Sequence, residues 1–247
     1  MKMLVGFQPR QYQEVIAETA KRYNTLVVLP TGLGKTAIAL MLAANRLSVY
    51  PDAKVVFLAP TRPLIQQHYE YFKQHLALED EAFALLTGSV LPAKRIKEFA
   101  KAKVLFYTPQ TLENDLMSGA INLRDVCLMI FDECHRAVGD YAYTFIAKEY
   151  VKQGRYPRII GLTASPGSDI EKIREIIRNL SIEEIEVRSI DDPDVKPYVK
   201  EIEIEWIKVN FPKPYKELQQ LLKRFISERL EKLKEWGVIR RKNLPKK

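Results

Sequence analysis

With 247 residues, 47% of them apolar, the chain can build one sizeable α/β domain with a buried core, and wholesale disorder is excluded. No window approaches the ~18 uninterrupted apolar residues of a membrane span, and the opening MKMLVGFQPRQYQ lacks the apolar stretch and cleavage site of a secretory signal. The net charge of +8 suits a polyanionic partner, and the excess is concentrated: residues 216–247 hold 11 basic and 4 acidic side chains.

In chain order, short runs rich in Val, Ile, Leu and Phe stand at Thr25–Leu29, Lys54–Ala59, Ala82–Leu86, Val104–Tyr107, Cys127–Phe131 and Arg158–Leu162. They are nearly continuous rather than alternating, as strands of a parallel sheet covered on both faces are. Amphipathic stretches lie between them, among them Thr36–Leu47, Pro63–Leu76 and Pro92–Ala100, the second opened by a proline at a favoured first helical position. Repeated strand–helix units predict a doubly wound, mostly parallel sheet, with ligands held beyond the carboxyl ends of its strands. The two cysteines, Cys127 and Cys134, lie in or beside one of these strands, which argues for a reducing compartment and against a disulfide framework.

The character changes after Leu180. SIDDPDVKPYVK reads as a linker, EIEIEWIKV as a strand with one wet face, and a helix opens at Pro214 and closes at Gly237 with Leu218, Leu221, Leu222, Phe225, Leu233 and Trp236 along its apolar side. Residues 1–190 are therefore expected to form the main domain, and 191–247 a linker strand and helical extension.

Two segments carry chemistry. Leu29-Pro30-Thr31-Gly32-Leu33-Gly34-Lys35-Thr36 follows a strand and opens a helix, and it meets the end of the pattern GxxxxGK[ST] although Leu29 replaces the usual first glycine. Gly32 and Gly34 let backbone N–H groups curl toward phosphate oxygens at a helix N-terminus. Lys35 is placed to reach the β- and γ-phosphates of ATP, and the Thr36 hydroxyl to hold Mg²⁺. The second segment is the strand Val126–Phe131, which runs straight into Asp132-Glu133-Cys134-His135. Asp132 is expected to bind Mg²⁺ through its water shell, and Glu133 to orient and deprotonate an attacking water. An acidic cap ending a strand is the plainer reading of this pair, and its company with the phosphate cradle disfavours that reading. Zinc held by Cys127, Cys134 and His135 is rejected for want of a fourth ligand at suitable spacing.

DECH and PTGLGKT resemble motifs II and I of superfamily 2 helicases, and further segments follow the order of that family. Arg10-Gln11-Tyr12-Gln13 resembles the adenine-reading segment, which implies paired hydrogen bonds from Gln13 and stacking by Arg10. Pro60, Thr61 and Arg62 fall in a motif Ia-like segment, Thr87-Gly88 where the family has a nucleic-acid-contacting turn, and Thr108-Pro109 in a motif Ib-like one. Thr163-Ala164-Ser165 resembles motif III, which couples hydrolysis to strand movement and implies a coupling role for His135, Thr163 and Ser165. The wording is closest to the Hef/FANCM helicases. The resemblance implies a RecA-like P-loop domain that binds ATP and Mg²⁺ through Arg10, Gln13, Thr31, Gly32, Leu33, Gly34, Lys35 and Thr36, with Asp132 as a further metal ligand. It implies the front half of an ATP-dependent helicase or translocase acting on forked or branched DNA, in the cytoplasm beside the nucleoid, without contact to a membrane.

A second RecA-like domain, with its Q-x-x-G-R-x-G-R arginines, has no counterpart in the sequence, so these residues alone are expected to be nearly inert as an ATPase. A double-stranded-RNA-responsive ATPase and a non-catalytic nucleic-acid-binding adaptor are the alternatives. Intact Lys35 and Glu133 disfavour the adaptor, and DECH disfavours a P-loop kinase or GTPase.

Overall fold

A computed structural model describes residues 3–199, 207, 209 and 212–238. Seven strands form one sheet: β1 (Thr25–Val28), β2 (Lys54–Leu58), β3 (Phe83–Leu86), β4 (Val104–Tyr107), β5 (Val126–Asp132), β6 (Ile159–Thr163) and β7 (Glu184–Val187). Their order is β3-β4-β2-β5-β6-β1-β7, and every pairing is parallel. The expected α/β class holds, with the sheet fully rather than mostly parallel.

The apolar runs are continuous because both faces of the sheet are covered. Val55 and Phe57 of β2 and Leu128 and Ile130 of β5 point into one core with α1 (Gln11–Arg22), α2 (Lys35–Val49) and α3 (Arg62–His75). Val56, Leu58, Met129 and Phe131 point the opposite way. There they meet α4 (Pro92–Lys101), α5 (Pro109–Met117), α6 (Ala142–Gln153) and α7 (Ile170–Asn179). The period-2 alternation of a strand thus feeds two apolar layers, and neither leaves a polar signature in the sequence.

β7 carries no such run. It closes the edge beside β1, with Ile185 and Val187 about half exposed. Beyond it the Asp- and Pro-rich stretch packs down: Val195 is fully buried, and Arg188 bonds Asp194 at 3.0 Å.

Contacts divide the chain into two compact units, one ending at Val199 and one comprising the C-terminal residues. The strand expected over 201–209 lies outside the described residues but for positions 207 and 209. In the second unit, α8 (Lys213–Glu235) begins with proline in its first turn, and Gly237 takes a positive φ of 70° just beyond its end.

Candidate active site

The carboxyl ends of β1, β6 and β5 are neighbours, and register fixes their heights: Val28 pairs with Thr163, and Asp132 with Leu162. The loop after β1 leaves the sheet only gradually. The Leu29 N–H still donates to the Thr163 carbonyl at 3.0 Å with the Leu29 side chain fully buried, so a strand residue occupies the place of the usual first glycine. Gly32 and Gly34 do need their freedom, at φ 85° and 79°, and Gly34 ends the turn as the N-cap of α2. A Cβ on Gly34 would lie 2.4 Å from Gln13 Nε2.

The loop is braced from behind by α1. Tyr12 donates its hydroxyl to the Leu33 carbonyl at 2.7 Å, and Gln13 Nε2 donates to the same oxygen at 3.2 Å. Gln13 Oε1 accepts from Arg10 N at 3.0 Å, while the Arg10 guanidinium bonds the Tyr12 hydroxyl and lies over the Tyr198 ring at 5.3 Å. Gln13 and Arg10, expected at the adenine ring, are here engaged with protein groups, and Leu33 contributes backbone while its side chain is buried.

Thr31, Gly32, Gly34, Lys35, Thr36, Leu64, Gln67, His68, Tyr71, Asp132 and Glu133 line one open cleft. The Lys35 ammonium donates to the Leu29 carbonyl at 2.8 Å. Burial lowers its pKa, and the charges of Asp132 and Glu133 act in the opposite sense. Asp132 is buried, and its backbone carbonyl accepts from the Tyr143 hydroxyl at 2.7 Å, which also reaches Leu58 O at 3.3 Å. Glu133 follows in the left-handed region at φ 50°, a conformation of non-glycine residues that clusters at functional sites.

His135 connects this carboxylate to β6. Its Nδ1 lies 3.2 Å from Glu133 Oε2 and 3.1 Å from Thr163 Oγ1. The Thr163 hydroxyl gives its own proton to Ser165 O at 2.9 Å and accepts from Ser165 N at 3.2 Å. The proton between His135 and Thr163 therefore comes from the imidazole.

On the other half of the edge, β2, β4 and β3 end side by side. Pro60 and Thr61 follow β2, with Thr61 capping α3 and Arg62 exposed; Thr108 caps α5 with Pro109 behind it. A Cβ on Gly88 would lie 3.9 Å from Arg62 Nη2 and 3.8 Å from Thr111 Oγ1, so the three segments converge. The Thr87 side chain is buried, with its hydroxyl 2.8 Å from Ser89 Oγ. A buried ion pair that the sequence did not reveal holds this corner: Arg95 Nε donates to Asp115 Oδ2 at 2.8 Å, and its Nη1 donates to Val90 O.

A family model described as DEAD/DEAH box helicase matches residues 10–173, about two-thirds of the chain and the whole of this edge. The chain belongs to the DEAD/DEAH box helicase family. It is 45% identical over 232 residues to a Methanocaldococcus jannaschii protein with the provisional name ATP-dependent RNA helicase, a match over 94% of this chain and 29% of that one. It is 41% identical over 190 residues to the ATP-dependent DNA helicase mph1 of Sclerotinia sclerotiorum, covering 77% and 15%. The crystal structure of the Pyrococcus furiosus Hef helicase domain superposes with a TM-score of 0.78 at 53% identity, over 97% of this chain and 51% of that one. The chain thus spans less than a third of these curated relatives.

Family membership implies the use of ATP, and the oxygen donors that line the cleft are of the kind that suits Mg²⁺. Thr36 and Asp132 offer hard oxygens, and among the described residues no group of three or more His, Cys, Asp or Glu builds an all-protein cage. Magnesium bound chiefly by phosphate oxygens and water needs no such cage.

The two cysteines are free thiols. Both are buried; burial raises the Cys127 thiol to about 11 and Cys134 well above its ordinary value, with Asp132 and Glu133 adding to the latter. Gly161 makes room for Cys134, since a Cβ there would meet its Sγ at 3.0 Å. Iodoacetamide at pH 8 is expected to leave both thiols of the native protein unmodified and to label both after denaturation, as mass spectrometry would show.

Proposed function

We propose that this chain is the first motor domain of an ATP-dependent helicase or translocase of the Hef type, acting on forked or branched DNA with Mg·ATP as its fuel. The observation that carries the reading is the meeting of Lys35, Thr36, Asp132 and Glu133 in one cleft at the carboxyl edge of β1 and β5. Gly32 and Gly34 shape the backbone cradle for the phosphates, with Thr31 contributing its N–H and Leu33 contributing its own on giving up a long 3.4 Å bond to Pro30 O. Lys35 exchanges its bond to Leu29 O for one to phosphate, a trade between two hydrogen bonds rather than the making of a new one. Thr36 and Asp132 would hold Mg²⁺, whose charge would offset that of the phosphates. Glu133 orients the attacking water and takes its proton. Arg10 and Gln13 are assigned to the adenine ring, which would require them to exchange their present protein partners for the base.

Coupling follows the chain of bonds from Glu133 through His135 to Thr163 and Ser165. A change at the Glu133 carboxylate alters the acceptor available to His135 Nδ1, and so the tie to the segment after β6. On the far half of the edge, Pro60, Thr61, Arg62, Thr87, Gly88, Thr108 and Pro109 form the track surface, with Thr87 acting through the backbone of its turn. Phosphate contacts of this kind fix position without reading sequence, as a translocase requires. The names of some relatives refer to RNA and those of others to DNA, and the choice of DNA rests on the relatives named as DNA helicases together with the Hef/FANCM-like wording of the motifs. The facing wall of the ATP site is assigned to a second RecA-like domain that brings arginines to the transferred phosphate.

DNA-stimulated ATP hydrolysis should be robust only when the chain is joined to that second domain, and Glu133→Gln should then abolish turnover while ATP binding persists. Residual turnover above about a tenth of the unaltered protein would remove Glu133 from the role of base. Fast hydrolysis by residues 1–247 alone would contradict the two-domain site.

Arg62→Ala should weaken binding similarly across DNA sequences and lower the slope of log K against log salt by about 0.9, the value for one phosphate. Fluorescence anisotropy across a salt series measures it, and a loss confined to particular sequences would indicate base reading instead.

A further inference from the structure

His68 stands where the sequence pattern calls for an apolar residue. The buried stripe of α3 runs Ile65, His68, Phe72, and the imidazole stacks on Phe57 with centroids 4.4 Å apart. A polar ring at such a position costs stability unless both nitrogens are satisfied. They are: Nε2 lies 3.0 Å from Asp132 Oδ2, and Nδ1 lies 3.3 Å from Thr36 Oγ1. His68 therefore bridges the residue at the start of α2 to the residue at the end of β5, the two assigned to the metal.

The Asp132 carboxylate fixes the direction of one bond. An ionised carboxylate only accepts, so Nε2 carries a ring proton and donates it to Asp132. In the neutral ring Nδ1 then has a lone pair, and the Thr36 hydroxyl donates to it. The hydroxyl proton is thereby turned toward the protein, which leaves the lone pairs of Thr36 Oγ1 for a cation. Asp132 keeps Oδ1 uncommitted to the imidazole. An unbridged threonine rotates its hydroxyl freely and presents its proton to the cation site part of the time.

We propose that His68 is a positioning residue for the divalent cation: it orients the Thr36 hydroxyl and the Asp132 carboxylate so that both present lone pairs to one metal ion. The proposal rests on the Mg·ATP reading of the cleft. Partners that orient metal ligands in this way typically govern affinity by 10–100-fold.

The test is Mn²⁺ affinity in the complex with ADP, followed by electron paramagnetic resonance, beside ADP affinity without metal by calorimetry. His68→Phe keeps a ring on Phe57 and removes both nitrogens. It is expected to weaken Mn²⁺ at least about tenfold while metal-free ADP affinity stays within about twofold. His68→Gln keeps a donor for Asp132 and should recover part of the loss; it carries the same comparison should the phenylalanine variant fail to fold. Mn²⁺ affinity equal to that of the unaltered protein in the folded variants would overturn the proposal. So would an equal loss of metal-free ADP, which would mark His68 as a packing residue. Failure of the unaltered protein to bind Mn²⁺ with ADP would instead overturn the Mg·ATP reading itself.

Discussion

The ladder from β5 through β6 to β1 sets everything else at the carboxyl edge. Because Asp132 pairs with Leu162 and Thr163 with Val28, the carboxylate pair, the Thr163 hydroxyl and the start of the glycine-bearing loop after β1 come to one level. A slip of one residue in a parallel ladder would send every side chain to the opposite face. The alternating burial of β5, with Leu128 and Ile130 on one side and Met129 and Phe131 on the other, makes that slip costly, since each buried side chain contributes ~1.5–3 kcal/mol. Core packing is thus the source of precision in the cleft. Tyr143 adds a tie across the sheet by donating to the carbonyls of Asp132 and Leu58.

Polar groups around the cleft are held by protein partners, which keeps the loop shaped. Tyr12 and Gln13 share the Leu33 carbonyl, Lys35 takes that of Leu29, and His68 spans Thr36 and Asp132. Each bond is worth only ~0.5–1.5 kcal/mol net, so a nucleotide offering equivalent bonds can replace one at little cost. Replacing Gly34 is another matter: its left-handed backbone strains any side chain, and a Cβ there would displace Gln13 Nε2, 2.4 Å away, from its bond to Leu33 O. The tight turn and its brace therefore depend on each other.

Six of the seven strands were legible because burial on both faces leaves apolar runs, two of which lead into the glycine-bearing and acidic motifs. β7 was not, since an edge strand of alternating Glu and aliphatic residues gives a weak signal beside a linker-like stretch. The residues after β7 looked slack because Asp and Pro suit loops, yet the loop packs through Val195 and Tyr198. In the cleft, residues that belong to motifs were found and their supports were not. His68 is a polar residue on the Ile65–Phe72 stripe, and sequence alone does not separate it from a packed core histidine, the commoner fate of such positions. The Arg95–Asp115 pair joins residues 20 positions apart on different helices, and no local pattern announces it.

In the proposed function the turn between β1 and α2 is a working phosphate cradle with Lys35 as its cation. Isothermal titration calorimetry of Mg·ATP into the unaltered chain and into Lys35→Ala addresses it directly. The account predicts measurable binding by the unaltered chain and at least a tenfold loss in the variant, about 1.4 kcal/mol or more, with an unchanged melting profile of the free protein. Equal affinity in the two proteins would contradict it.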